Sequence, residues 1–335
     1  MIDKSNQAFS YLLIAAGVLL VTAILAFAGE IASYLRLNTT NISLNSALAE
    51  GNNAALDASA KELGELLADT PHEAEAWRGI ALAHITQNQL AAAAEAYAHI
   101  ENAEAELVDW GRRAELEKRW DIAQDWYQVA VLLEPENSDH LYRLARVSAE
   151  QGQQEAIDYY TQALAAPQRA EFGRSNILTR MGELEKRNNN PVIWRDVLNR
   201  YDEAIQLDEF VEPGDVVQAW LGKAEAFERL GQSRAALEAY EWLAVYSPGH
   251  YWANVHSGRL AWQAEMNTSK AISYLEKAIE IDGRPKWAHL YLAQVYAQLG
   301  ENDRAIPLFR KVLEIDPEDR VARAHLSQLE NNDGS

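Results

Sequence analysis

The chain has 335 residues, of which 48% are hydrophobic, and it carries a formal net charge of −20. This apolar content is sufficient for packed cores and excludes a mainly disordered chain. The negative charge excludes a general nucleic-acid-binding face, which needs lysine and arginine to release counterions. The absence of cysteine excludes disulfides, cysteine-ligated metal sites and thiol catalysis.

The first predicted element is residues 8–28, a stretch of 21 residues without a charged side chain. A helix of this length is about 30 Å long, which matches the hydrocarbon core of a bilayer. We therefore predict a transmembrane anchor, with Tyr11 and Tyr34 as interfacial side chains on either side. The alternative is a cleaved signal peptide, because Ala26-Phe27-Ala28 resembles a cleavage site, although signal peptides usually have a shorter apolar core.

The charges around this stretch favour one orientation. Lys4 precedes it and Arg36 is the nearest base after it, so the positive-inside rule favours a cytoplasmic N-terminus and an extracytoplasmic soluble domain. Residues 29–53 are rich in Asn, Ser and Thr and are predicted to be a linker. Residues 54–73 are predicted to form a leading helix.

A pattern of small and aromatic residues then repeats with a period of about 34 residues, and we count about seven copies over 74–319. Some copies depart from it, and Lys118 stands where the others have a turn glycine. The clearest copies carry Ala293, Tyr296, Gly300, Ala305, Phe309 and Pro317 in Lys286–Asp319; Ala224, Phe227, Gly231, Ala236, Tyr240 and Pro248 in Val217–His250; and Gly111, Ala123, Tyr127, Ala130 and Pro135 in Glu104–Asn137.

This spacing resembles that of the tetratricopeptide repeat, and the anchor adds a likeness to its membrane-anchored bacterial members. The resemblance implies an all-α fold, an α-solenoid of helix-turn-helix repeats in which each unit has an A and a B helix. No unit buries its apolar face alone, so the units must stack. The aromatic residues of the pattern are then packing residues, and 320–330 are predicted to form a C-terminal capping helix.

The resemblance also implies a partner-binding groove lined by set positions of each helix A. Arginines there would bind carboxylates, and tryptophans would act as buried anchors. Alternatively, the arginines pair with neighbouring glutamates and the tryptophans close the last seams between repeats. The Lys and Asn clamp of chaperone-binding members is not reproduced. The residues at the groove positions are Arg112, Tyr142, Arg143, Arg146 and Arg180 in the middle of the chain, and Trp252, His256, Arg259, Trp287, Leu290 and Tyr291 near its end.

No motif in the sequence predicts catalysis. The phosphate-binding loop, the nucleophile elbow and the H-E-x-x-H pattern do not occur, and His250 and His256 lack the spacing of a metal site. We therefore expect no catalytic residue, metal or cofactor. The expected function is a non-enzymatic scaffold or adaptor, anchored in the bacterial inner membrane, that binds partner proteins or their peptide segments. It would assemble or stabilise a membrane or envelope complex; the alternative is a permanent structural subunit of such a complex.

Overall fold

The computed structural model describes residues 30–68, 70, 73–167, 171–187, 193–211 and 213–333. Every regular element in these ranges is an α-helix, and the chain divides into two compact units, Met1–Ala156 and Ile157–Ser335. The helices are α1 (30–50), α2 (Asn53–Leu67), α3 (Ala74–Thr86), α4 (Leu90–Tyr97), α5 (Ala103–Leu116), α6 (Trp120–Leu133), α7 (Ser138–Glu150), α8 (Ala156–Ala165), α9 (Arg174–Arg187), α10 (Trp194–Leu207), α11 (Pro213–Arg229), α12 (Ser233–Tyr246), α13 (Tyr251–Gln263), α14 (Thr268–Ile281), α15 (Lys286–Gln298), α16 (Asn302–Ile315) and α17 (Arg320–Asp333).

The segment predicted to be a linker is helical, because α1 occupies most of it. Leu37 and Leu44 lie two turns apart on α1 and are buried in one core with Leu56 of α2. Serine and threonine often compete with helix formation, but the Thr40 hydroxyl donates to the carbonyl four residues earlier at 2.9 Å and is satisfied within the helix. Tertiary packing therefore overrides local composition, and α2 has a partner helix instead of leading the repeats alone.

The predictions at the two ends of the chain are a membrane anchor at residues 8–28 and a capping helix at residues 320–330. The anchor predicted at residues 8–28 lies outside the described residues, and in the described part of the chain no helix has the length and apolarity needed to span a bilayer. The predicted capping helix is present as α17, and it extends slightly beyond the predicted end. Ala322 and Leu329 of α17 are buried in the same core as Phe309 of α16.

Successive helices pack as hairpins, as the repeat pattern predicts. The first unit contains the pairs α3–α4 and α5–α6, and the second contains α9–α10, α11–α12, α13–α14 and α15–α16. Tyr127 and Phe309, two aromatic residues of the pattern, are fully buried. The turn between α5 and α6 has a left-handed backbone at Lys118, with φ of 57° where the corresponding Gly231 has 71°.

Tyr201 of α10 shows how neighbouring hairpins stack. Its side chain is fully buried, and its hydroxyl donates to Glu183 Oε1 at 2.7 Å. A Cβ atom added to Gly182 of α9 would lie 2.8 Å from this ring, and one added to Gly222 of α11 would lie 2.2 Å from it. Both distances are shorter than any real carbon contact. The ring therefore fits only because the two flanking helices present glycine.

Candidate functional site

A groove opens between α11 and α13 of the second unit. Its volume is about 550 Å³, which lies in the range of small-ligand and peptide side-chain pockets. The two helices are the A helices of successive hairpins, so the groove is on the face where the resemblance implies partner binding. The lining residues are Leu221, Glu225, Glu228, Arg229, Tyr240, Trp252 and His256.

Three aromatic rings build one wall of this groove. The His256 ring stacks on Tyr240 with centroids 4.7 Å apart, and the Trp252 centroid is 5.8 Å from that of His256. Trp252 remains 43% exposed although its ring lies beside that of His256. Burial, followed by the charge of Glu228, raises the pKa of Tyr240, so its hydroxyl remains protonated. The wall is therefore apolar, and Trp252 is its exposed part.

A partly buried charge cluster lies beside the aromatic wall. The Glu228 carboxylate accepts a hydrogen bond from Arg259 Nη2, and His256 Nδ1 lies 3.3 Å from Glu228 Oε1. Burial tends to raise the pKa of Glu228, but the neighbouring His256 ring and the charge of Arg259 lower it to about 2. Glu228 is therefore ionised at neutral pH. Glu225 is held separately by Lys186, whose Nζ is 3.0 Å from Oε2.

Changing Glu228→Gln should remove an acid-dependent part of the stability. The folded pKa of about 2 is below the ordinary value of 4.5, so this contribution is present above pH 4.5 and is lost as the pH falls towards 2. We expect the variant to unfold with about 1–3 kcal/mol less free energy at pH 7, because Arg259 loses its partly buried counter-charge. Urea unfolding at several pH values measures this difference.

The matched control is Glu238→Gln, which changes an exposed carboxylate on the neighbouring helix α12. It should alter the unfolding free energy by less than about 0.5 kcal/mol at any pH. The difference between wild type and Glu228→Gln should shrink as the pH approaches 2. A difference that stays constant over this range would contradict the assigned pKa.

The structure brings together three of the predicted groove residues near the end of the chain. Trp252 and His256 line the groove, and Arg259 lies behind it in the charge cluster. On α15, the rings of Trp287 and Tyr291 stack with centroids 6.3 Å apart, one helical turn from each other. Leu290, between them in sequence, is instead buried in the core.

The predicted basic residues in the middle of the chain differ in their surroundings in the described structure. Arg146 pairs with Glu115 in the first unit, and Arg180 lies 3.5 Å from Asp215 in the second. Such pairs match the alternative that arginines neutralise neighbouring carboxylates. Of the remaining residues, Arg112 is exposed on α5, whereas Tyr142 and Arg143 of α7 are each only 3% exposed. That these residues contact a partner stays a prediction.

Five groove-lining residues were not predicted to line it: Leu221, Glu225, Glu228 and Arg229 of α11, and Tyr240 of α12. The four residues on α11 could have been found, because they fall at other positions of the groove-facing set of helix A, the set to which the positions of Trp252 and His256 belong in the next repeat. Arg229 also lies 5.4 Å from the centre of the Trp194 ring, a cation–π distance.

One group of side chains in the first unit has the spacing of metal ligands. Ligand atoms of Glu104, Glu134 and His140 lie within 4.8 Å of one another. The His140 ring is also 3.2 Å from the Asn137 side-chain amide, and all three residues of the group take part in further interactions within the protein. The group is therefore a polar cluster at the start of α7, and no metal is assigned to it.

Models of the tetratricopeptide-repeat family match residues 44–106, 221–286 and 261–329, together about half of the chain. Among curated proteins, the mitochondrial import receptor subunit TOM70 of Rattus norvegicus is 28% identical over 106 residues. The Mus musculus receptor matches equally. The match covers 32% of this chain and 17% of the receptor. The likeness is thus confined to a small part of those receptors.

Solved structures extend the likeness to the fold. PilF of Pseudomonas aeruginosa superposes with a TM-score of 0.56 at 15% identity, covering 67% of this chain and 97% of PilF. PilW, described as a type IV pilus biogenesis factor, gives 0.51 at 16% identity, covering 68% of this chain and 100% of PilW. YrrB, described as a repeat protein with an unusual peptide-binding site, gives 0.50 at 16% identity, covering 59% and 96%. The repeat pattern, the helical hairpins and the matching family models agree, and the chain belongs to the tetratricopeptide-repeat proteins.

Proposed function

We propose that this chain is a non-enzymatic scaffold that binds a segment of a partner protein in the groove between α11 and α13. The observation that carries the proposal is Trp252, a large aromatic side chain that stays 43% exposed inside a groove. Tryptophans in such positions are the residues that most often dominate binding energy at protein interfaces. YrrB, a relative in fold, is described as having a peptide-binding site.

The groove chemistry defines what the partner segment must supply. An apolar or aromatic side chain is needed to cover Trp252 and the His256 ring, because these rings form the apolar wall. Glu228 is already neutralised by Arg259 and does not require a basic partner residue. Glu225 shares Lys186 with Glu183. Arg229 is exposed at the edge and is available to an acidic group of the partner.

The proposal places the scaffold at a membrane. It is supported by the uncharged stretch at residues 8–28, long enough to span a bilayer. The weak charge bias around this stretch favours repeats outside the cytoplasm, which for a bacterial protein means an inner-membrane anchor and a periplasmic scaffold. The partner would be a membrane or envelope complex that the chain helps to assemble or stabilise.

The experiment is affinity purification of the full chain in mild detergent from its own cells, alongside the Trp252→Ala variant. We expect a specific partner with the wild type, and we expect its recovery to be reduced with the variant. A stoichiometric, salt-resistant partner retained by the variant would overturn groove binding and favour a permanent subunit. Recovery of the chain in the soluble fraction after cell lysis would contradict the membrane anchor.

A further inference from the structure

Helix α1 carries large apolar residues both on the face that packs against other helices and away from it. Leu37 and Leu44 are buried against α2 and α3. Away from this packed core, Ile31, Tyr34 and Leu35 are 45%, 67% and 57% exposed. Exposed apolar side chains scattered singly need no explanation. Three within two turns of one helix form a patch that indicates a contact.

The patch lies at one end of α1. Exposed residues near the C-terminal end of the helix are small or polar, namely Asn45, Ser46, Ala49 and Glu50, and the remaining exposed large apolar residue is Ile42. The apolar surface is therefore concentrated at the end that follows the uncharged stretch 8–28 in the sequence.

Chain length limits how far this patch can be from a bilayer spanned by residues 8–28. In a helix, Ile31 and Tyr34 would lie about 5 and 9 Å beyond Ala28 along the axis. The polar headgroup layer on each side of the hydrocarbon core is about 5–8 Å thick. Ile31 therefore falls within the headgroup layer, and Tyr34 and Leu35 fall at or just beyond its outer edge, close to the interface where tyrosine is enriched in membrane proteins.

The nearest basic residue does not face the same surface. Arg36 Nη2 is 3.0 Å from Glu65 of α2, and Arg36 Nε is 3.5 Å from Glu62. Its charge is thus directed to carboxylates of the protein. Contact with lipid would depend on apolar and aromatic side chains and not on attraction to anionic headgroups.

We propose that Ile31, Tyr34 and Leu35 form a lipid-contacting surface that seats the first hairpin in the headgroup layer of the bilayer. This proposal rests on the membrane anchor of the proposed function. The surface fixes the α1–α2 hairpin at the membrane, so the repeats begin directly above it.

The chain has no cysteine, which allows clean single-site labelling. Tyr34→Cys carries an environment-sensitive fluorophore in the full chain, reconstituted at one chain per phosphatidylcholine nanodisc. Ala49→Cys, an exposed position at the far end of α1, is the matched control. Headgroup nitroxide lipids should quench the label at position 34 by about twofold and leave the label at position 49, about 22 Å further along the helix, nearly unchanged. Replacing part of the phosphatidylcholine with phosphatidylglycerol should not alter this result.

Two results would overturn the proposal. One is the absence of quenching at position 34 in a chain that remains in the nanodisc through detergent-free washing. This result would contradict the lipid-contacting surface but not the membrane anchor. The other is shielding of position 34 only in nanodiscs that hold two chains, which would assign the patch to a second copy. If the chain does not enter nanodiscs at all, the membrane anchor itself is contradicted.

Discussion

The Tyr201→Ala variant is expected to unfold with about 3–5 kcal/mol less free energy than the wild type, the largest loss predicted for this chain. Tyr201 is fully buried and fills the space between α9 and α11, where Gly182 and Gly222 admit its ring. Removing the ring leaves a cavity that these helices cannot close without moving, and it deprives Glu183 of a hydrogen bond. Urea unfolding followed by circular dichroism measures the loss.

A second substitution tests whether the ring and the glycine are coupled. Gly222→Ala should destabilise the wild type by about 1–3 kcal/mol, because its Cβ has no room beside Tyr201. In the Tyr201→Ala background the same change should be neutral or stabilising, since alanine is the better helix former. Gly214→Ala, on the same helix with no atom within 4 Å of its Cβ, is the control. Equal costs for Gly222→Ala in both backgrounds would contradict this account.

The second large effect is on binding. Trp252→Ala is expected to lower the affinity for the partner protein by about 30-fold. This corresponds to about 2 kcal/mol of binding free energy, a typical cost for a central tryptophan anchor. Unfolding free energy should change little, because Trp252 is 43% exposed. Calorimetric titration of the purified partner measures the affinity.

The control for this binding prediction is Tyr246→Ala. Tyr246 is 46% exposed on α12 and stacks on Trp242, but it does not line the groove. This variant should bind with wild-type affinity. If both variants lose the same affinity, the effect is not specific to the groove and the assigned site is wrong.

The repeat architecture could be predicted because helix packing restricts the size of the side chain at each position of the pattern. Gly182 and Tyr201 show this restriction, since the glycine leaves the space that the tyrosine ring fills. The helix α1 could not be predicted from composition, because Asn, Ser and Thr favour turns. Leu37 and Leu44 instead pack against α2. The packing energy that stabilises α1 comes from contacts with other helices, and the composition of a short sequence segment does not reveal it.

The candidate site was partly predictable. The helix-A positions select Trp252 and His256, and they also include Leu221 and Glu228; all four line the groove. These positions also select Arg143, which is buried. A position within a repeat gives the direction of a side chain relative to its own hairpin. Whether the side chain stays exposed to solvent depends on what packs against its helix, and the repeat pattern does not predict this.

Site-specific photocrosslinking tests the central claim most directly. A photoreactive phenylalanine analogue is placed at Trp252 in the groove or at Tyr246 outside it, in the full chain in its own membranes. We predict a crosslinked partner from position 252 and none from position 246. A partner crosslinked only from position 246, or equally from both, would contradict the claim that this repeat protein binds its partner in the groove between α11 and α13.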